Sequence, residues 1–131
     1  MRIVVVTLLA AVAALWLSQP VAAHHSFAAQ YDPDKPITLT GKVSKVEWTN
    51  PHARFYLDVK DEKGQVKTWN FELASPNYLK RAGWSSTSLK EGDEITVEGS
   101  IARSGANMAN ARSVTLADGS RVFARSAQDA N

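Results

Sequence analysis

The stretch that decides the fold spans residues 37–48 and reads ITLTGKVSKVEW. Its first half alternates apolar and polar residues, as a half-buried β-strand does. Its second half carries the apolar pattern, at Val46 and Trp48, on the opposite parity. A bulge or sharp bend near Ser44 reconciles the two halves, because one extra residue moves the following side chains to the other face. We therefore predict a bent first strand.

A hairpin and a short helix are expected after this strand. Arg54 to Val59 and Val66 to Leu73 alternate apolar and polar side chains on either side of Asp61-Glu62-Lys63-Gly64, which predicts two strands and a turn. Ser75-Pro76 marks a helix start, since Ser can cap a helix and Pro fits its first turn. Gly83 is the expected end of that helix.

Two or three strands complete the domain. We predict strands at 94–101, 111–116 and 121–123, with a loop at 107–110. The fold class is mainly β. The order of elements is that of a small OB-type barrel of five to six strands, with one short helix between strands 3 and 4. A small α+β roll is the alternative.

The first 23 residues have the pattern of a cleaved secretory signal peptide. Arg2 supplies a positive charge, residues 3–17 form an apolar run, and Val21-Ala22-Ala23 places small residues before the expected cut. The run is shorter than the roughly 20 residues that span a bilayer, although an uncleaved anchor is the alternative. We expect a periplasmic or secreted protein with no stable membrane span after cleavage.

The mature chain divides into three expected segments. An extended N-terminal arm covers 24–36, since its prolines disfavour a helix or a central strand, and Phe27 and Tyr31 are expected to pin it to the domain. The β-barrel domain covers 37–124, and a disordered tail covers 125–131.

Composition narrows the possible partners. The chain has 15 basic and 13 acidic residues, and signal cleavage removes one basic residue, so the mature protein is nearly neutral. Such a balance argues against a nucleic-acid partner. The chain has no cysteine, which excludes disulfides and thiolate metal sites.

Four motifs occur in a recognisable order. They are HHSFA at 24–28, VEWTNPHA at 46–53, WNFEL at 69–73 and NARSV at 110–114. Together they resemble a family of small exported bacterial proteins of unknown function. The resemblance covers nearly the whole mature domain and implies an OB-like fold. The positions that match its most recognisable motifs are His24, His25, Glu47, Trp48, Asn50, Pro51 and His52.

The histidines suggest a metal site. A cut after Ala23 would leave His24 with a free α-amine beside two imidazoles, and all three groups can be unprotonated donors near neutral pH. Nitrogen-rich sites favour copper(II) or nickel(II). His52 is a possible third ligand, and the protein would then act as a metal carrier or accessory protein. Alternatively, His24 and His25 form a solvated end, and His52 organises a turn.

A second hypothesis is an interaction module. Arg54 and Tyr56 share the outward face of the second strand, and OB barrels often bind ligands on strands 2 and 3. The mixed charge of that face suits a glycan or a periplasmic protein partner. Enzymatic activity is not expected, because the chain lacks a Gly-x-Ser-x-Gly setting, a phosphate loop and an H-E-x-x-H motif. Glu47 and His52 could pair as acid and base, but such pairs are common in structural networks.

Overall fold

The structure is a computed structural model and describes residues 27–122. The expected signal peptide, the terminal pair His24-His25 and the expected tail lie outside these residues. The elements are β1 (Tyr31–Glu47), β2 (Arg54–Lys60), β3 (Val66–Glu72), α1 (Pro76–Arg81), β4 (Glu94–Ala102), β5 (Met108–Leu116) and β6 (Arg121–Val122). Within the described part of the chain, no helix is long and apolar enough to cross a membrane.

The strands close into a barrel. The sheet order is β3-β2-β1-β4-β5-β6, and β3 also pairs with β5. This last pairing is parallel and matches Phe71 with Ala109, whereas the other strand pairs are antiparallel. Closure removes much of the exposed strand edge. The prediction of a mainly β, OB-type barrel with a helix between strands 3 and 4 is confirmed.

The first strand bends where the sequence predicted it. Its register against β2 shifts between Val43 and Lys45. The backbone of Val43 turns instead to the loop before β4, donating to the carbonyl of Asp93 at 2.9 Å and accepting from the amide of Gly92 at 2.7 Å. Gly41 is required just before the bend, because a Cβ there would collide with the carbonyl oxygen of Asp58.

The barrel interior is an apolar core. Phe55 and Phe71 are fully buried and stack with ring centroids 5.2 Å apart. Helix α1 contributes Leu79 to this core. The helix begins as expected, since the Ser75 hydroxyl accepts from the Tyr78 amide at 3.3 Å. It ends before Gly83, whose φ of +95° suits glycine.

Two strand starts differ from the sequence prediction. Strand β1 begins at Tyr31, not at Ile37, and residues 27–30 are helical, so the described part of the expected extended arm belongs to the fold. Strand β5 begins at Met108, so the loop predicted for 107–110 was wrong from Met108 onward. Both strands start earlier than predicted because they pair with residues distant in the sequence. Tyr31 pairs with Ala102, and Met108 pairs with Asn70 of β3. A prediction from neighbouring residues alone does not detect such pairings.

Candidate functional site

The outer face of the barrel carries a second buried layer. Phe27 and Tyr31 lie on this face with ring centroids 5.4 Å apart, and they pack with Ala102 and Met108. We call residues 27–32 the N-terminal segment. Phe27 and Tyr31 are both buried, which confirms their expected role in pinning this segment to the domain. Tyr31 of this segment contacts Glu72, which would otherwise face solvent.

Glu72 is the centre of the covered region. It follows Phe71 on β3, and neighbouring residues of a strand point to opposite faces. Phe71 enters the barrel core, so Glu72 projects outward, yet it is only 4 % exposed. A carboxylate at such depth is costly unless other groups bind it. The groups that contact the Glu72 carboxylate therefore determine which charges and hydrogen bonds this face contains.

Four side chains form what we call the carboxylate cluster: Tyr31, His52, Arg54 and Glu72. The Tyr31 hydroxyl donates to Glu72 Oε2 at 2.9 Å. Arg54 Nη2 donates to the same oxygen at 2.5 Å, while Arg54 Nη1 donates to Asn70 Oδ1 at 3.3 Å. His52 Nδ1 lies 3.0 Å from the other oxygen, Oε1. Both oxygens of the buried carboxylate are thus engaged.

The strand ladder holds this cluster in place. Arg54 and Glu72 are directly opposite each other in the pairing of β2 with β3. The backbone beside His52 continues this ladder, since the amide of Ala53 donates to the carbonyl of Ala74 at 3.1 Å. His52 therefore lies on the same edge as Glu72, with its side chain 36 % exposed. The cluster joins a buried carboxylate to a solvent-accessible imidazole.

Tyr31 acts in the cluster as a protonated donor. Burial raises the pKa of its phenol well above the ordinary value of 10.0, and the charge of Glu72 and the hydrogen bond to it act in the same direction. A neutral phenol donates to the carboxylate, whereas a phenolate beside it would be repelled. The bond from Tyr31 to Glu72 is therefore maintained throughout the neutral pH range.

The predicted ligand-contact residues Arg54 and Tyr56 belong to different groups. Arg54 is committed to Glu72 and Asn70. The half-buried Tyr56 has Lys45 Nζ 5.4 Å from its ring centroid and its hydroxyl 3.5 Å from Glu47 Oε2. Their assignment to a ligand site stays a prediction.

Glu47 is not the partner of His52. It pairs with Lys45 at 2.5 Å, and this hydrogen bond lowers the pKa of the Glu47 carboxyl and raises that of the Lys45 ammonium. The acid–base pair considered from the sequence is therefore replaced by His52 and Glu72. Residues 27–122 contain no group of three or more His, Cys, Asp or Glu side chains placed to hold a metal.

Sequence reasoning missed the importance of Glu72. The alternation of Trp69, Phe71 and Leu73 places Glu72 on the outward face, but alternation alone does not indicate that another part of the chain covers it. Its burial depends on Tyr31, which is 41 residues away in the sequence. A usable signal was the presence of an acidic residue directly between the core residues Phe71 and Leu73.

Comparison with known protein families finds one that matches most of the chain. The profile of a family of unknown function, DUF6152, matches residues 11–111. The chain belongs to this family. The resemblance inferred from the four motifs is thus confirmed as far as an unknown-function family is concerned. Membership assigns no activity, and no curated protein matches the chain significantly.

The DUF6152 chain is also similar to solved structures. Two crystal forms of the S. cerevisiae mitochondrial single-stranded DNA-binding protein Rim1 match with TM-scores of 0.50 and 0.48, at 10 % and 9 % identity. Each match covers 63 % of this chain, and 93 % and 92 % of the respective Rim1 chains. Single-stranded DNA-binding proteins of this kind are built on OB folds. At such low identity, the first match supports the fold alone.

Proposed function

We propose that this protein is an exported, single-domain metal-binding protein that holds copper(II), or a similar divalent ion, between its mature N-terminus and His52. The observation that carries the proposal is the sharing of one buried carboxylate. Tyr31, at the start of β1, and His52, two residues before β2, engage the two oxygens of Glu72. The carboxylate thereby holds Tyr31 close to His52, the only histidine among the described residues 27–122.

The N-terminal segment is fixed by further contacts. Arg103 Nε donates to the carbonyl of Ala28 at 2.7 Å, and Arg103 Nη1 donates to Asp32 Oδ2 at 3.3 Å. The amide of Arg103 donates to the carbonyl of Gln30 at 3.0 Å. These contacts hold Ala28, Gln30 and Asp32 against the turn that follows β4.

The nitrogen donors of the proposed site favour a divalent transition metal or zinc. Cleavage after Ala23 would give His24 a free amine, and His24, His25 and His52 would supply three imidazoles. Nitrogen donors of this kind suit copper(II), nickel(II) and zinc, whereas magnesium and calcium prefer oxygen. A single such site on a neutral barrel of roughly 100 residues fits a carrier or accessory protein better than an enzyme with a substrate cleft.

An interaction module remains the second candidate. It is favoured by Tyr56, whose partly exposed ring lies beneath Lys45 on the outward face of β1 and β2. A glycan or a periplasmic protein could contact this ring. Tyr56→Ala is the cleaner test of this candidate, since an Arg54 substitution would also disturb Glu72.

The decisive test is calorimetric titration of copper(II) into the chain that begins at His24. Mass spectrometry of the exported protein first establishes whether its N-terminus is His24. A chain that retains Ala23 as one extra N-terminal residue and a His52→Asn variant are the matched comparisons, with thermal unfolding as the check on folding. We expect one ion per chain and at least about 10-fold weaker binding in each comparison, the scale for loss of a site interaction. Equal affinities in all three proteins would reject the proposal.

A further inference from the structure

We propose that the N-terminal segment is a cover that opens from the barrel while the barrel stays folded. Its opening exposes a row of polar side chains, Ser100, Asn110 and Glu72, to solvent and to small polar molecules. We call these three residues the polar row. The motion requires no metal, because the contacts that govern it lie within the described residues.

The polar row crosses three neighbouring strands. Asn110 of β5 pairs with Ser100 of β4 on one side and with Glu72 of β3 on the other. Directly paired residues on neighbouring strands share one face of the sheet. Glu72 projects outward beneath Tyr31, so Asn110 and Ser100 project to the same outer face.

The polar row is buried, but its hydrogen bonding is incomplete. Ser100 and Asn110 have no exposed surface. Within residues 27–122, Ser100 Oγ and both Asn110 side-chain atoms, Oδ1 and Nδ2, have no hydrogen-bond partner. Polar groups that are buried without partners destabilise the closed state, because they have given up bonds to water. Opening restores those bonds, so the polar row favours it.

A small apolar cluster holds the N-terminal segment closed. Phe27 and Tyr31 pack with Ala102 and Met108, and this cluster is separate from the main core of the barrel. Opening breaks this cluster, the bond from Tyr31 to Glu72 and the bonds from the half-exposed Arg103. It leaves the main core intact. Regions with few buried apolar contacts open at a lower free energy than the whole domain unfolds.

The connection between this segment and the rest of β1 is suited to act as a hinge. The register of β1 against β4 shifts between Tyr31 and Pro36, so residues 32–35 bulge out of the pairing. Pro33 and Pro36 have no amide hydrogen to donate to a neighbouring strand. Movement of this stretch therefore breaks few backbone hydrogen bonds with β4.

Thiol labelling tests the proposal, because the chain has no cysteine of its own. Ala102→Cys places a thiol beneath the N-terminal segment, whereas Ala111→Cys places one in the main core, and both alanines are buried. The folded, metal-free proteins are treated with a small disulfide reagent, and each rate is divided by that of the same chain in urea. We expect Ala102→Cys to react at least about 10-fold faster than Ala111→Cys. Equal rates would overturn the proposal.

Two further substitutions separate opening of the segment from unfolding of the barrel. Phe27→Ala removes a ring that holds the segment, and should speed labelling of Ala102→Cys by at least about 10-fold. Ile95→Val trims the main core, and should speed labelling of Ala111→Cys by about 2- to 10-fold. It should leave Ala102→Cys unchanged, because Ile95 keeps its contacts when the segment opens. Equal acceleration of both thiols by Ile95→Val would mean that a single global unfolding exposes them, and would reject the proposal.

Amide hydrogen exchange gives a second readout in the unsubstituted protein. The Arg103 amide donates to the carbonyl of Gln30 in the N-terminal segment at 3.0 Å, whereas the Leu73 amide donates to the carbonyl of Ala53 at 2.9 Å. We expect Arg103 to exchange at least about 10-fold faster, and to respond less to low concentrations of urea, since opening exposes less surface than unfolding. If a cysteine variant does not fold, this comparison decides. The same protection and urea dependence at both amides would contradict the proposal.

Discussion

Phe71 and Glu72 are neighbours on β3, and both are almost fully buried, but on opposite sides of the same strand. Phe71 stacks on Phe55 inside the barrel. Glu72 lies outside the barrel, beneath Tyr31 of the N-terminal segment. On the inner side, apolar packing excludes water. On the outer side, the N-terminal segment covers the charged Glu72, and neighbouring side chains take the place of water around it.

The two sides contribute differently to the protein. Apolar burial is non-directional and stabilises the fold in proportion to the area buried. The apolar core therefore stabilises the barrel but does not require particular pairs of atoms to meet. A buried carboxylate is costly unless its partners have good geometry, and its net contribution to stability is often small. The carboxylate cluster instead determines which groups lie together. It is therefore suited to building a site, whereas the core is suited to holding the fold.

The largest expected effect is on the inner side. Phe71→Ala should lower the free energy of unfolding by about 3 to 5 kcal/mol, because it removes a stacked ring and leaves a cavity. Urea denaturation followed by tryptophan fluorescence measures this loss. A loss below about 1 kcal/mol would mean that the core does not depend on this pair of rings. The inner side of β3 would then contribute no more to stability than the outer side.

The next effect is on the outer side. Glu72→Ala should cost about 2 to 3 kcal/mol, because Tyr31 and Arg54 would lose their shared acceptor in a buried position. Glu98→Ala is the matched control. Its side chain is 49 % exposed although it pairs with Arg121 at 2.7 Å, so its removal should cost less than about 1 kcal/mol. Equal losses in the two variants would show that Glu72 is not buried by the N-terminal segment.

The smallest effect concerns the phenol of Tyr31. Tyr31→Phe should cost about 1 kcal/mol at neutral pH, the usual net value of one hydrogen bond. Its pH dependence is more informative. Because burial raises the pKa of Tyr31 in the folded state, its contribution is complete below pH 10.0 and is lost as the pH rises above that value.

Thermal unfolding at a series of pH values between about 9 and 11 measures this loss. The unsubstituted protein should lose stability more steeply than Tyr31→Phe across this range, because only its unfolded state gains by ionising residue 31. Parallel curves would show that Tyr31 ionises equally easily in the folded and unfolded chains.

The inner side could be predicted from the sequence, and the outer side could not. The alternation of Phe55 and Phe71 with polar residues placed them in the core, and the parity change near Ser44 placed the bend of β1. These features depend on neighbouring residues. The burial of Glu72 depends on Tyr31, through a strand start that local patterns did not reveal.

The candidate site was predicted in part for the same reason. His52 was selected by its residue type, since imidazole is a common metal ligand, but its contact with Glu72 joins the loop before β2 to the end of β3. The residues with the densest nitrogen donors, His24 and His25, lie outside the described part of the chain.

Paramagnetic broadening by copper(II) tests the approach of His24 and His25 to His52 most directly, because the broadening falls steeply with distance from the ion. One equivalent of copper(II) is added to the chain that begins at His24, and its amide NMR spectrum is compared with that of the metal-free protein. We predict that the signals of His52, Ala53 and Tyr31 disappear, while those of Glu98 and Ser113, on β4 and β5, persist. Full intensity at His52 and Ala53 in a copper-loaded protein would contradict a site shared between the N-terminus and the barrel.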